Sequence, residues 1–210
     1  MKIKVLLVDD HENVRRGLRK MLNHSPKVEV VGEASDGLQA IKLAEELQPD
    51  VLLLDVEMPG MNGYEVAKHI SESGMQSNIL ALSGHNEKRY ILGMFANGAV
   101  GYITKDEAPD QLLKAVSEVA AGKRGWISSK VAKTLGVPAN PVGQDTIPAL
   151  SRLEKQVLEY ATHGKSDNEI IGLLNIDSDQ LKQVTEVINM KLGVKTRLEA
   201  IFRAMQEDLV

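Results

Sequence analysis

The chain has no cysteine among its 210 residues, which excludes disulfides, thiolate nucleophiles and thiolate metal sites. It also has no long hydrophobic run. The longest, residues 5–8 and 51–54, fall far short of the roughly 20 apolar residues that cross a bilayer. Met1-Lys2-Ile3-Lys4 leads straight into a short β-like run and does not read as a signal peptide. Positive charge is in deficit too: the net charge of −4 gives no general push toward nucleic acid or anionic membrane. There is no internal repeat, no low-complexity tract and no Ser/His/Asp hydrolase elbow. The five histidines, His11, His24, His69, His85 and His163, show no paired ligand spacing, which argues against zinc. The expectation is a soluble, cytoplasmic protein with no membrane partner.

What is present is an ordinary globular composition, 43% hydrophobic and 26% charged, with length for two domains. Over the first 120 residues, short apolar runs alternate with stretches of helical spacing. The runs are residues 3–8, 28–32, 51–54, 79–82 and 101–103. The helical stretches include Val14, Leu18, Met21 and Leu22, then Leu38, Ile41, Leu43, Ala44 and Leu47. Val66, Ala67 and Ile70 mark a third, and Leu112, Leu113, Val116 and Val119 the last. Strands without polar alternation are buried on both faces, so the pattern predicts a parallel α/β sheet covered by helices on both sides. Residues 136–148, with three prolines and two glycines, read as a linker preceded by a short helix over 129–135. Beyond Leu150 only helical periodicity remains, with four short helices and stops at Gly164 and Gly193. The predicted organisation is 1–123, a linker at 124–147, and a small all-α domain at 148–210. The last holds 8 Lys+Arg against 10 Asp+Glu.

In an open parallel sheet, ligands bind at the carboxyl ends of the strands, where the winding reverses. Asp9 and Asp10 follow the first strand, and Asp55 ends the third. If those strands are neighbours, three carboxylates converge and repel one another unless a hard divalent cation joins them, and Mg²⁺ is the natural occupant. Ser83 and Lys105 follow the fourth and fifth strands on the same edge. A hydroxyl and an ammonium beside a carboxylate nucleophile are what phosphoryl transfer needs, with Asp55 attacking phosphorus to give an acyl phosphate. Taken singly, each residue reads as a helix cap or surface charge; five suitable groups at the ends of four strands do not.

The blocks Val8-Asp9-Asp10-His11, residues 54–63 (LDVEMPGMNG), Ala81-Leu82-Ser83-Gly84 and Tyr102-Ile103-Thr104-Lys105 resemble the signatures of bacterial response-regulator receiver domains. That resemblance implies a doubly wound, five-stranded, flavodoxin-like sheet. It implies phosphorylation of Asp55 by a cognate histidine kinase or small phosphodonor, with no enzyme activity beyond slow self-catalysed dephosphorylation. Asp9 or Asp10, Asp55 and the backbone carbonyl of Glu57 hold Mg²⁺. Lys105 pairs with the phosphoryl group, Ser83 moves to hydrogen-bond it, and Tyr102 swings inward as Ser83 moves. His85, two residues past Ser83, reads either as a loop residue or as one that positions hydrolytic water. Glu57 stands where an aspartate-nucleophile phosphatase needs a second acid–base aspartate, which sets that class aside.

Residues 150–205 are similar to the LuxR-type helix-turn-helix of NarL/FixJ regulators. The similarity rests on Leu150-Ser151, Glu154, Gly164, Glu169-Ile170, Lys182, Lys191-Leu192-Gly193-Val194 and Thr196-Arg197 among others. It implies a third helix in the major groove, a fourth that packs protomers into a homodimer, and promoter DNA as partner. Lys182, Lys191, Lys195 and Arg197 are then the phosphate contacts, with Gln180 and Gln183 as base readers. The groove-facing helix departs from the family pattern: it has no arginine over 178–191, while Asp177, Asp179 and Glu186 place carboxylates on or beside it. Ile171 and Asn175 replace the usual small residues near the tight turn, which predicts a changed helix crossing. The alternative output is a protein-interaction module derived from the helix-turn-helix. Gly164-Lys165-Ser166 mimics a P-loop ending but lacks its first glycine and its strand.

Overall fold

The computed structural model describes residues 2–136 and 150–210. Most of the expected linker segment 136–148, and the first residues of the expected output domain, lie outside the described residues. Six parallel strands pair in the order β2-β1-β3-β4-β5-β6. They are β1 (Ile3–Val8), β2 (Val28–Ala34), β3 (Val51–Asp55), β4 (Asn78–Ser83), β5 (Gly101–Thr104) and β6 (Trp126–Ile127). The chain winds outward from β1 in both directions, so the reversal falls between β1 and β3, as the sequence pattern predicts.

Strand side chains alternate between two layers. Leu6, Val8, Leu52, Leu54, Ile79, Ala81 and Tyr102 face α2 (Gly37–Leu47), α3 (Gly63–Glu72) and α4 (Lys88–Ala96). Val5, Leu7, Val51, Leu53, Leu80, Leu82 and Ile103 face α1 (Glu12–Leu22) and α5 (Ala108–Ala120). Both faces are covered, which is why the strands read as continuous apolar runs.

Two features differ from the sequence expectation. The sheet has a sixth strand, because Trp126 N donates to Val100 O (3.1 Å) and Ser128 N to Tyr102 O (3.3 Å). Two residues are too short a run to show periodicity. The following helix α6 (Ser129–Leu135) buries Val131, Ala132 and Leu135 in the receiver core, so this part of the expected linker is packed structure. Helix α4 is the second difference. Gly93 interrupts its pattern, and a Cβ there would meet the Tyr64 ring at 2.7 Å, so the glycine serves close packing.

The C-terminal helices are α7 (Arg152–Thr162), α8 (Asp167–Leu174), α9 (Ser178–Leu192) and α10 (Arg197–Gln206). They enclose their own core of Val157, Leu158, Ile170, Leu181, Ile188, Leu192, Ala200 and Ala204. Asn175 takes the left-handed conformation (φ 52°, ψ 47°) that ends α8, so the tight turn survives without glycine. Helix α10 has a second apolar face. Phe202 and Met205 join the receiver core, Phe202 meets Phe95 of α4 edge-on at 5.0 Å, and Gln206 Nε2 donates to Gly125 O at 3.1 Å. No helix among the described residues is long and apolar enough to cross a membrane.

Candidate phosphoacceptor site

Asp55 is the last residue of β3, and Asp9 follows β1 on the adjacent strand. Both are buried, at 3% and 0% exposure, with Ser83 at 1% on the other side of β3. Parallel register brings Asp55, Ser83 and the residue that follows β1 to one edge of the sheet. What fixes the edge sterically is Gly63 at the start of α3. A Cβ there would stand 2.3 Å from the Asp55 carbonyl oxygen. The Asn62–Glu65 capping box satisfies the first turn of α3 at that point of contact.

Lys105 reaches in from the end of β5. Its Nζ donates to Asp55 Oδ2 at 2.8 Å and lies 2.7 Å from Asp9 Oδ2 as an ion pair without hydrogen-bond alignment. Asp9 Oδ1 accepts from His11 N at 2.8 Å, and Arg15 Nη1 donates to the Asp9 carbonyl at 2.7 Å. Asp9 is therefore held by hydrogen bonds at Oδ1 and its carbonyl, while Asp10 remains partly exposed beside His11 Nδ1 at 2.8 Å. Burial pushes Asp55 up to about 6 against the opposing pull of Lys105. Burial also works to lower Lys105, but its bonds to Asp55 and Asp9 outweigh this and hold it raised. One ammonium against three carboxylates leaves an excess of negative charge. One donor atom from each of Asp9, Asp10, His11 and Asp55 lies within 4.8 Å of the others. That donor set fits a divalent cation.

The raised Asp55 pKa couples protonation to stability. The folded chain keeps the Asp55 proton up to about pH 6, the unfolded chain only to 3.8. The associated stability is full below 3.8 and is lost as pH rises through about 6. At pH 8, Asp55→Asn is expected to stabilise the fold by up to about 3 kcal/mol, less the lost Lys105 pair. The gain should shrink toward zero near pH 4. Thermal melts across pH test this, and Mg²⁺ should stabilise wild type at pH 8 but not the variant.

Ser83 and Tyr102, the residues expected to switch, lie together. Ser83 Oγ accepts from His85 N (3.1 Å), and Tyr102 donates its hydroxyl to His85 O (2.9 Å). Tyr102 is already fully buried, sharing a cluster with Ile127, Val131, Ala132 and Leu135 of the β6–α6 extension. The inward position attributed to Tyr102 is thus the one it holds here, with Ser83 still engaged by the backbone. His85 Nε2 lies 2.8 Å from Glu57 Oε2, across the mouth above Asp55. Sequence reading missed Glu107, which follows Lys105 closely. Its carboxylate binds Thr104 Oγ1 (2.9 Å), Lys130 N (3.0 Å) and Ser128 Oγ, tying the Lys105 loop to α6.

Residues 5–117 match the family described as the response regulator receiver domain. The nitrate/nitrite response regulator NarL of Escherichia coli K12 is 34% identical over 208 residues, covering 98% of this chain and 96% of the relative. LiaR of Bacillus subtilis 168, a transcriptional regulatory protein, is 34% identical over 210 residues, 99% of both chains. The chain belongs to the NarL/FixJ family of two-component response regulators. A solved structure of two RcsB dimers on two parallel DNAs is 27% identical to this regulator with a TM-score of 0.60, covering 96% of each chain.

At the regulator's output end, the residues expected to meet DNA have different fates. Lys182, Gln183 and Lys195 are exposed. Gln180 is exposed as well, but its Oε1 accepts from Asp177 N (3.0 Å) while Asp177 Oδ1 accepts from Gln180 N (2.8 Å). This capping box was visible in the sequence as Asp177-x-x-Gln180. Lys191 Nζ binds both oxygens of buried Glu154, at 3.0 and 2.7 Å, and so joins α9 to α7. Arg197 pairs with Asp167 and donates to Lys165 O at 2.7 Å. Asp179, Gln183, Glu186 and Met190 follow helical spacing on the face opposite buried Leu181 and Ile188, and all four are exposed.

Proposed function

We propose that this response regulator accepts a phosphoryl group on Asp55 from a partner histidine kinase or small phosphodonor. Phosphorylation then changes dimerisation and promoter binding by the C-terminal helix-turn-helix, regulating transcription in the cytoplasm. The observation that carries the reading is Lys105 Nζ at 2.8 Å from buried Asp55, with Ser83 one residue past Leu82, the register partner of Asp55 on β4.

An Asp55 carboxylate oxygen forms the new bond to phosphorus as the bond to the donor's leaving atom breaks, and that atom keeps the electron pair. Lys105 neutralises a phosphoryl oxygen, and the Ser83 hydroxyl donates to another once it leaves the His85 amide. Asp10, Asp55 and the Glu57 carbonyl would hold Mg²⁺, with Asp9 behind them; the ion supplies charge neutralisation at the phosphoryl group. Glu57 stands where a phosphatase of the aspartate-nucleophile kind needs a second acid–base aspartate, which supports a phosphoacceptor with slow self-catalysed loss of the group. Helix α4 supports a coupling to the output: it starts after the Ser83–His85 loop and reaches α10 through Phe95 and Phe202. A second reading, a protein-binding output, is favoured by one observation, the acidic centre of the exposed α9 face.

Incubation with Mg²⁺ and acetyl phosphate should add one phosphoryl group, located on Asp55 by mass spectrometry. Label retained by Asp55→Asn would overturn the assignment.

A further inference from the structure

His11 stands beside the carboxylates, although the histidines have no ligand spacing in sequence. It precedes α1 directly, so backbone geometry rather than sequence spacing brings its ring to the pocket. Its Nδ1 lies 2.8 Å from Asp10 Oδ1 and 3.6 Å from Asp9 Oδ1. Its backbone N–H is fixed on Asp9 Oδ1, while the ring is 69% exposed.

A pocket of carboxylates and carbonyls suits Mg²⁺, a hard ion that takes oxygen ligands and keeps water. An imidazole nitrogen adds little for Mg²⁺ but much for Ni²⁺, Cu²⁺ or Zn²⁺, whose affinity for mixed nitrogen–oxygen sites is far higher. Asp9 Oδ1 accepts from His11 N–H, and the buried Asp9 Oδ2 has no hydrogen-bond partner beside Lys105 Nζ. Asp10 is the partly exposed carboxylate of the group, and His11 flanks it. We propose that His11 Nδ1 is an additional ligand of this pocket, giving it a preference for first-row transition dications that compete with Mg²⁺ at the phosphoacceptor. The inference rests on the reading of the pocket as a cation site.

The test is calorimetric titration of the full chain with Ni²⁺ and with Mg²⁺, comparing wild type with His11→Ala. The exposed ring and retained backbone N–H make that variant conservative for folding. Ni²⁺ affinity should fall about tenfold or more in His11→Ala, with Mg²⁺ affinity held within about twofold. In ¹⁵N-labelled protein the His11 ring resonances should move on Zn²⁺ addition and stay in place on Mg²⁺ addition. Unchanged Ni²⁺ affinity, or an equal loss for both ions, overturns the inference, since His11 would then be absent from the ligand set or would only shape Asp10. If Mg²⁺ itself fails to bind wild type, the cation-pocket reading falls instead.

Discussion

Gly63→Ala is expected to cost about 3 kcal/mol or more, lowering the melting temperature by roughly 6–12 °C for a chain of this size. The reason is the identity of the atoms a methyl group would meet. They are the Asp55 carbonyl oxygen at 2.3 Å and the Val56 Cα at 2.8 Å, both backbone, so no side chain can rotate away. Gly63 N also donates to Val56 O at 3.0 Å, which fastens the start of α3 to the end of β3. Relief requires moving either the capped first turn of α3 or Asp55 itself. Labelling by acetyl phosphate should therefore fall by about a hundredfold, since a displacement of about 1 Å at a reacting group costs that much. Gly60→Ala is the control. Gly60 has φ +78° and open space around it, so only the backbone strain of about 1 kcal/mol applies. Equal, small effects at both positions would show that the contact between α3 and β3 is not what fixes the phosphoacceptor.

The second large effect is expected at the output surface. Replacing both Asp179 and Glu186 by Lys should raise affinity for non-specific duplex DNA by roughly 10–100-fold at 0.1 M salt. The log–log salt slope should steepen by about 2, because each cation on a phosphate contributes about 0.9. Both residues lie on the exposed face of α9, opposite its buried seam, where a helix entering the major groove meets the highest negative potential. Lys191 and Arg197 are already committed to Glu154 and to Asp167, so the native surface opposes DNA with little free cationic charge. Fluorescence anisotropy over a salt series, with and without phosphodonor, reads both quantities. An unchanged slope in the double variant would mean that α9 does not approach DNA, and would favour the protein-binding output.

The receiver site was legible because its residues stand at strand ends. Parallel strands of known order need only a run of apolar residues to announce them, and the residue after each run falls on one edge. Asp9, Asp55, Ser83 and Lys105 were found that way, and the structure brings them together. Helix α4 and strand β6 were not legible. Gly93 breaks the helical pattern to admit Tyr64, and Trp126-Ile127 is a strand only because β5 offers an unpaired edge. The capping role of Gln180 was written in the Asp177-x-x-Gln180 spacing, whereas the Lys191–Glu154 bond spans 37 positions and has no local signature.

The sequence by itself carried the two-part organisation and the chemistry proposed for Asp55, since each follows from hydrophobic period and from residue type at strand ends. Tertiary structure alone decided which charges remain available. It withdrew Lys191 and Arg197 into ion pairs with Glu154 and Asp167. It also laid α6 over Tyr102 and Phe202 against Phe95. The physical reason is the same in each case: periodicity reports which face of an element is buried, but not what that face meets.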